Sequence, residues 1–250
     1  MTLHRATATI VGLGLTLWAV QAQSGELKVF NSTALKTVLE ELGPQFEKAT
    51  ENKLVVTVGP TAVLKAQIEQ GAAFDITILT ATAIDDLAKQ SKVDAASRVA
   101  IAHAGIGVAT RKGAPTPDIG TPEALKRALL NAKSIGFTAQ GASASSLQAI
   151  FVKLGIADEL KPKIKLLDGA AGAAVAKGEV EIGMTQISEI LPYADDQLVG
   201  PLPAELQVYT NFAGAVAAAS KDAASAKALL KFLTAPTALP VIKAKGMEPG

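Results

Sequence analysis

The sequence predicts an α/β fold, because short β-like runs alternate along the chain with stretches of helical periodicity. Hydrophobic residues make up 49% and charged residues 19% of the 250 residues, which is the balance of a globular protein. Aromatic residues are only 4%, so the core must consist mainly of Ala, Val, Leu and Ile side chains. A chain of this length has room for one large domain or two small ones.

The predicted strands are short and apolar, and a turn or a capping residue follows most of them. They cover, in chain order, 27–30, 54–58, 74–79, 104–110, 134–138, 164–167, 181–186, 198–202 and 207–219. A helix follows the first strand, where Leu35, Val38, Leu42 and Phe46 recur at helical spacing. Further helices are predicted to begin near 59–61, 80–82, 121–123 and 140–145, and to span 170–177, 222–233 and 236–245.

The first 22 residues are predicted to be a cleaved secretory signal. His4 and Arg5 precede an uncharged, mostly apolar stretch at 6–20, and Val20 and Ala22 supply the small residues of a cleavage site. The stretch is shorter than the roughly 20 apolar residues of a membrane span, and an uncleaved anchor is the alternative. Removal of these 22 residues from the 250 leaves 228. Since no other apolar run reaches span length, the mature protein is expected in the periplasm.

Composition excludes several kinds of site. The chain has no cysteine, which excludes disulfides, thiolate zinc sites, iron–sulfur clusters and a cysteine nucleophile. Its 24 basic and 23 acidic residues give a net charge of +1, which excludes a broad basic surface for nucleic acid. His4 and His103 are the only histidines, and no clustered spacing of histidines or carboxylates indicates a metal. We therefore expect no metal and no cofactor.

Three segments, in this order, resemble the periplasmic molybdate-binding proteins and their wider solute-binding family. They read LKVFNSTALKTVLEELGPQFEKAT at 27–50, LVVTVGPTAVLKAQIEQGAAFDITILT at 54–80 and VAKGEVEIGMTQISEI at 175–190. The resemblance covers most of the mature chain. It implies a periplasmic binding protein fold of the class II type, with two α/β lobes joined by two crossing strands around a ligand cleft. It places lobe one at 26–104 plus 208–250, lobe two at 105–207, and the crossings near 103–108 and 208–213.

The resemblance also implies ligand groups where strands end and helices begin. Elementary physics favours the same place, because the first amides of a helix lack intrahelical acceptors and lie at the positive end of its dipole. The crevice beyond the strand ends is the usual ligand site of an open α/β sheet. The candidate ligand-binding side chains are Ser32, Thr33, Thr61, Thr80, Ser143 and Gln186. Ordinary helix capping is the alternative role of the hydroxyl groups.

Three positions depart from the molybdate-binding pattern. Ala34 and the pair at 60–61 stand where that pattern has serines, and Gln186 aligns with a tyrosine that ligates the oxyanion. Each unreplaced group removes a charge-assisted hydrogen bond of roughly 1.5–3 kcal/mol. The departures favour a larger organic anion with several carboxylates over molybdate. The overall likeness then favours the aconitate isomerase branch of the family, exported enzymes that interconvert trans- and cis-aconitate.

Aconitate isomerisation is an allylic proton shift, which requires a general base with a pKa near neutrality. The predicted base is His103, which the resemblance places beside the cleft at a lobe crossing. The alternative bases are Glu189, Tyr209, Asp75 and Asp168. Two cations, Lys36 and Arg111, are candidates for pairing with a substrate carboxylate, and solvated surface charge is their alternative role.

The predicted function is therefore an exported isomerase that acts on a small polyanion, aconitate or a related carboxylate. The alternative is the periplasmic substrate-binding component of an ABC importer, for a molybdate-like oxyanion or a di- or tricarboxylate. The partners in that alternative would be the membrane subunits of the transporter. Under both hypotheses we expect a monomer with no nucleic-acid partner.

Overall fold

A computed structural model describes residues 25–250, so the predicted signal at 1–22 lies outside the described residues. The strands are β1 (Glu26–Ser32), β2 (Lys53–Gly59), β3 (Ile76–Thr80), β4 (Val99–Arg111), β5 (Ile135–Thr138), β6 (Ile164–Leu167), β7 (Ile182–Gln186), β8 (Asp196–Pro201), β9 (Tyr209–Val216) and β10 (Glu248–Pro249). The helices are α1 (Lys36–Thr50), α2 (Thr61–Glu69), α3 (Ala81–Lys89), α4 (Pro122–Asn131), α5 (Ala144–Lys153), α6 (Ala157–Leu160), α7 (Ala171–Ala176), α8 (Ala223–Leu233) and α9 (Leu239–Ala244). None of these described helices is long and apolar enough to cross a membrane.

The predicted alternation of strands and helices is confirmed. Where the sequence predicts bounds, the observed ends differ by up to five residues, and the largest difference is the early start of β4 at Val99. The sequence predicts neither the four-residue helix α6 nor the two-residue strand β10. Such short elements depend on tertiary packing and carry little periodic signal of their own.

The strands form one sheet in which β4 joins two halves. One half has the order β2-β1-β3-β9, the other has the order β7-β5-β6, and β4 lies between β9 and β7. The pairs β1–β2, β1–β3, β5–β6 and β5–β7 are parallel, whereas β9 and β4 run antiparallel to their neighbours. We call the half with β9 lobe one and the half with β7 lobe two. Their residue bounds, given above from the family resemblance, stay a prediction.

One strand passes through both lobes. The 13 residues of β4 pair with β9 from Val99 to Gly105 and with β7 from Ile106 to Thr110. The Gln207 side chain, just before β9, bonds both backbone groups of Ile106, accepting at 2.8 Å and donating at 2.9 Å. The second connection between the lobes is thus tied to β4 at the point where β4 changes partners.

Each lobe buries apolar side chains on both faces of its part of the sheet. Successive side chains alternate along a strand, so Val29 and Phe30 of β1 enter different clusters. The Val29 cluster includes side chains of α1 and α8, and the Phe30 cluster includes side chains of α2 and α3. In lobe two, Phe137 packs against Phe151 with ring centroids 6.1 Å apart. The packing of these cores holds the strands in place. The carboxyl ends of the parallel strands of both lobes meet at one cleft.

Candidate functional site

The cleft contains a cavity of about 340 Å³ at the carboxyl ends of the parallel strands. Its volume lies in the range of small-molecule sites. The side chains that bring reactive or charged groups to it are Ser32, Lys36, Thr61, Asp168, Glu189 and Tyr193. The described residues contain no group of three or more His, Cys, Asp or Glu side chains placed to hold a metal ion. Hydroxyls, amides and individual charges are therefore the groups available to a ligand here.

Hydroxyl groups dominate the wall of lobe one. Ser32 ends β1 and Thr61 begins α2, and both side chains are buried. Their Oγ atoms lie 3.5 Å apart. A 3-10 turn begins at Thr33, directly after β1. Because the first amides of this turn and of α2 have no intrahelical acceptor, they add N–H donors beside the hydroxyls.

The wall of lobe two consists mainly of backbone and small side chains. Thr138, at the end of β5, donates to the Gly169 carbonyl at 2.9 Å and so fixes the loop after β6. Gly141 and Ala142 come shortly before α5, and Ala170 directly precedes α7. All five residues line the cavity, so two more helix starts face the ligand space.

Glu189 is the carboxyl group best suited to acid–base chemistry. It ends a 3-10 turn directly after β7, is half-buried, and lines the cavity. Burial raises the pKa of its carboxyl above the ordinary value of 4.5, and hydrogen bonds from Thr185 and the Gln186 backbone offset only part of this effect. A carboxyl group of raised pKa beside a ligand cavity is suited to exchanging a proton with the ligand.

Gln186 connects that carboxyl to the rest of the cleft. The Thr185 hydroxyl donates to Glu189 Oε2. In the amide orientation that satisfies both polar atoms, Gln186 Nε2 donates to Glu189 Oε2 at 2.7 Å. Gln186 Oε1 then accepts from the Ser143 amide and from Thr210 Oγ1, each at 3.2 Å. Buried side chains thus fix the Glu189 carboxyl against α5 and against β9.

Tyr193 lies four residues after Glu189 and lines the same cavity. Its ring packs so closely on α7 that a Cβ added to Gly172 would lie 2.5 Å from Tyr193 Cδ2. Burial, together with the negative charges of Glu189 and Asp196, raises the pKa of the phenol. The phenol therefore stays protonated at physiological pH, as a hydrogen-bond donor beside the carboxyl.

Residues 27–248 match the family model described as bacterial extracellular solute-binding protein. This chain belongs to that family. The solute-binding protein is 28% identical over 229 residues to aconitate isomerase from a Pseudomonas species, covering 89% of this chain and 87% of the relative. It is 29% identical over 246 residues to the molybdate-binding protein ModA of Azotobacter vinelandii, covering 95% of each chain.

A solved structure confirms the two-lobed fold of the solute-binding protein. The periplasmic molybdate-binding protein of Azotobacter vinelandii superimposes with a TM-score of 0.77 at 21% identity. The match covers 90% of this chain and 99% of the other. The predicted family resemblance and the predicted fold class are therefore both confirmed.

The cleft of the solute-binding protein extends into a second chamber of about 560 Å³. Thr61 lines both spaces, whereas Thr80, Tyr209 and Asn211 line only the second. Thr80 also caps α3, where its hydroxyl accepts from the Ala83 amide at 3.4 Å. The chamber therefore adds polar groups from lobe one and from the start of β9.

The sequence-predicted ligand residues fall into two groups. The cavities are lined by Ser32, Thr33, Thr61 and Thr80. Ser143 and Gln186 are buried behind the wall, where they support the Glu189 carboxyl instead of facing the ligand space. The binding role of all six stays a prediction.

His103 lies on β4, directly opposite Asn211 of β9. Its ring contacts the Tyr209 ring edge to face, with centroids 5.5 Å apart. It is half-buried and lines neither the first cavity nor the second chamber, although Tyr209 and Asn211 both line the chamber. His103 is thus one residue removed from the ligand space, and its role as base stays a prediction.

The alternative general bases, and the cations predicted to pair with a substrate carboxylate, lie in different parts of the molecule. Asp168 and Lys36 line the first cavity together with Glu189. Asp75 lies before the amino end of β3, where its carboxylate accepts hydrogen bonds from a backbone amide of β1 and from a serine hydroxyl. Arg111 ends β4 and lines a different cavity of lobe two.

Sequence reasoning missed two cavity residues, Thr138 and Tyr193. Thr138 is the last residue of the predicted strand 134–138, so the rule that ligands lie beyond strand ends would have included it. Tyr193 is one of two tyrosines and follows Glu189 by four residues. That spacing is the only signal in the sequence that would associate the two.

Behind Tyr193, the buried carboxyl of Asp196 makes the folded state sensitive to pH. Neither of its oxygens has a hydrogen-bond partner in the described part of the chain, and burial followed by the Asp195 charge raises its pKa from 3.8 to about 7. Between about pH 4 and pH 7 the folded state binds more protons than the unfolded state, so stability falls as the pH rises through this window. We expect Asp196→Asn to melt at a higher temperature than the wild type at pH 8, with the difference shrinking towards pH 4. A difference that is constant from pH 4 to pH 8 would contradict this account.

Proposed function

We propose that this solute-binding protein is an exported isomerase that interconverts trans- and cis-aconitate in the cleft between its lobes. The observation that supports this most is the position of Glu189, a half-buried carboxyl of raised pKa that lines a cavity otherwise rich in hydroxyl and amide donors. A receptor for a doubly charged oxyanion gains nothing from an acidic group at this place, because like charges repel. A proton-transfer enzyme requires a general base at the ligand, and the Glu189 carboxyl is placed to supply it.

The walls of the cavity suit a ligand with several carboxylates. The hydroxyls of Ser32 and Thr61 and the amides at the helix starts donate hydrogen bonds to anions without placing a full positive charge at every contact. Lys36 adds one positive charge at the same cavity. Donors fixed in this way also stabilise the negative charge that develops on a substrate during reaction.

In the proposed reaction the Glu189 carboxylate removes a proton from the methylene carbon of trans-aconitate. The electron pair left on that carbon delocalises over the allylic system and its carboxylates. Protonated Glu189 then returns the proton to the far allylic carbon, so the double bond moves by one position and the carboxylate is regenerated. No proton is consumed overall, and the protonated Tyr193 phenol beside Glu189 supplies a further hydrogen bond to the delocalised charge.

The second candidate function is the substrate-binding component of an ABC importer for a small anion. The 29% identity to ModA over 95% of the chain supports it, and the 28% identity to aconitate isomerase supports the isomerase about equally. The importer component would require membrane subunits as partners, whereas the isomerase would act as a monomer without them. Both functions fit a periplasmic protein, so only an activity measurement separates them.

The test is to mix purified mature protein with trans-aconitate and follow cis-aconitate by chromatography, with a molybdate titration in parallel. The isomerase predicts repeated turnover by the protein alone and weak or absent molybdate binding. Absence of turnover together with tight binding of molybdate or a carboxylate would reject the isomerase in favour of the importer component. Heat-denatured protein provides the control for uncatalysed isomerisation.

A further inference from the structure

Lobe two contains a second cavity, of about 790 Å³, at the edge of the sheet opposite the cleft. It is lined by the end of β4, the loop at 114–118, one face of α4, and the residues that enter β5 and β7. The parallel strands β5 and β7 point their carboxyl ends at the cleft and their amino ends at this cavity. This cavity shares no lining residue with the first cavity or the second chamber of the cleft. A ligand bound here would therefore not contact the proposed isomerase site.

Three basic side chains surround this cavity: Arg111, Arg127 and Lys133. All three side chains are exposed. None of them forms an ion pair with a carboxylate of the described chain. This holds even for Arg111, which lies opposite Asp196 in the pairing of β4 with β8. Their guanidinium and ammonium groups are therefore available to an anion.

Two acidic residues line the same cavity, and each is already engaged with the backbone. Asp118 Oδ1 accepts from the Gly120 amide at 2.9 Å, and Glu181 Oε2 accepts from the Lys133 amide at 2.8 Å. The cavity lining therefore contains three cationic side chains and two carboxylates, and both carboxylates already accept hydrogen bonds from backbone amides. The balance favours a ligand with negative charge.

A buried polar atom in the wall gives independent support. Thr110 is 2% exposed, lines the cavity, and its Oγ1 has no hydrogen-bond partner in the described chain. Buried hydroxyls are normally hydrogen-bonded, so the wall beside this cavity holds a hydrogen-bonding group that the described chain leaves unpartnered. The remaining wall combines apolar side chains, among them Pro115, Pro117 and Val180, with the polar side chains of Thr116, Asn131 and Ser134.

We propose that this cavity is a second ligand site, for an organic anion that joins a carboxylate or sulfonate group to a hydrocarbon body. The anionic group would lie between the guanidinium groups of Arg111 and Arg127, where bidentate hydrogen bonds are available. The hydrocarbon body would lie on the prolines and Val180, and the side chains of Asn131 and Ser134 are available to hydrogen-bond a polar atom of the ligand. The site does not depend on the proposed isomerase activity.

The test uses 8-anilinonaphthalene-1-sulfonate, an aromatic sulfonate whose fluorescence rises in apolar surroundings. We expect saturable binding to the full mature protein and a Kd at least tenfold weaker in the double variant Arg111→Gln/Arg127→Gln. The matched control Lys48→Gln/Lys231→Gln removes two exposed charges of lobe one and should leave the Kd unchanged. The cleft variant Lys36→Gln/Glu189→Gln should also leave it unchanged, which separates this site from the main cavity.

Three results would overturn the second site. One is fluorescence that rises without saturation, and another is an unchanged Kd in the double arginine variant. The third is a lost or weakened interaction in the cleft variant, since the probe would then occupy the cleft. Circular dichroism of each variant establishes that it is folded before the titration is interpreted.

Discussion

Replacing Glu189 with Gln is expected to lower the turnover of trans-aconitate by about 10²- to 10⁴-fold, the usual contribution of a general base. Gln keeps the size of the side chain, and its amide oxygen still accepts from Thr185, so the turn after β7 should remain intact. Binding of trans-aconitate should be preserved or tightened, because one negative charge leaves the cavity. Stopped assays give the turnover, and calorimetric titration gives the affinity.

The wild-type pH profile provides a second readout of the same group. The base must be ionised to act, so kcat/KM should fall towards acid pH with an apparent pKa above the ordinary 4.5 of a glutamate. The exposed Glu159, on the distant helix α6, provides the matched control, and Glu159→Gln should retain wild-type turnover. Retained turnover in Glu189→Gln with loss in His103→Asn would transfer the role of base to His103.

The hydroxyls that line the cleft in lobe one could be predicted from the sequence because their position depends on local signals. Ser32 and Thr61 lie where an apolar strand gives way to a helix, and such boundaries can be read from periodicity and capping residues. The strands before them are parallel, so their ends meet at one edge of the sheet. A local pattern and one rule of topology are enough to bring both hydroxyls to the cleft.

The choice of base could not be made in the same way. In the sequence His103 and Glu189 are both candidate bases, and two signals favour His103: the ordinary pKa of histidine and the place that the family resemblance gives it at a lobe crossing. What distinguishes Glu189 is burial together with contacts from Thr185, Gln186 and the groups beyond Gln186. These contacts depend on how β7, β9 and α5 pack, and no spacing in the sequence encodes that.

Asp196 is a second residue whose burial the sequence does not predict. In the sequence it is one of two adjacent aspartates in a polar turn, which is typical of solvent exposure. The fold buries its carboxyl beside the segment that carries Tyr193, and this burial raises the pKa of both groups. Nothing in the spacing of the sequence predicts this burial, because it depends on how β8 and the turn before it pack against the rest of lobe two.

Replacing Gly172 with Ala should damage both the stability and the activity of lobe two. Alanine in place of glycine normally stabilises a helix by roughly 0.5–1 kcal/mol. Here the added Cβ would lie 2.5 Å from Tyr193 Cδ2 and 2.7 Å from the Glu189 carbonyl oxygen, so the ring and the backbone of the turn that carries Glu189 must both move. We expect a net loss of about 1–3 kcal/mol in the free energy of unfolding, measured with urea, and a lower kcat.

The sign of the change is what makes Gly172→Ala informative, because the intrinsic effect of the substitution and the effect of the clash are opposite. Gly200→Ala is the matched control: Gly200 lines none of the cavities described above, and a Cβ there would make only an ordinary contact with Ile119 Cδ1 at 3.7 Å, so stability should be unchanged or slightly higher. If Gly172→Ala were as stable and as active as Gly200→Ala, Tyr193 and the turn that carries Glu189 would have moved aside without any cost in stability or activity. The close packing of α7 against that turn would then play no part in positioning Glu189.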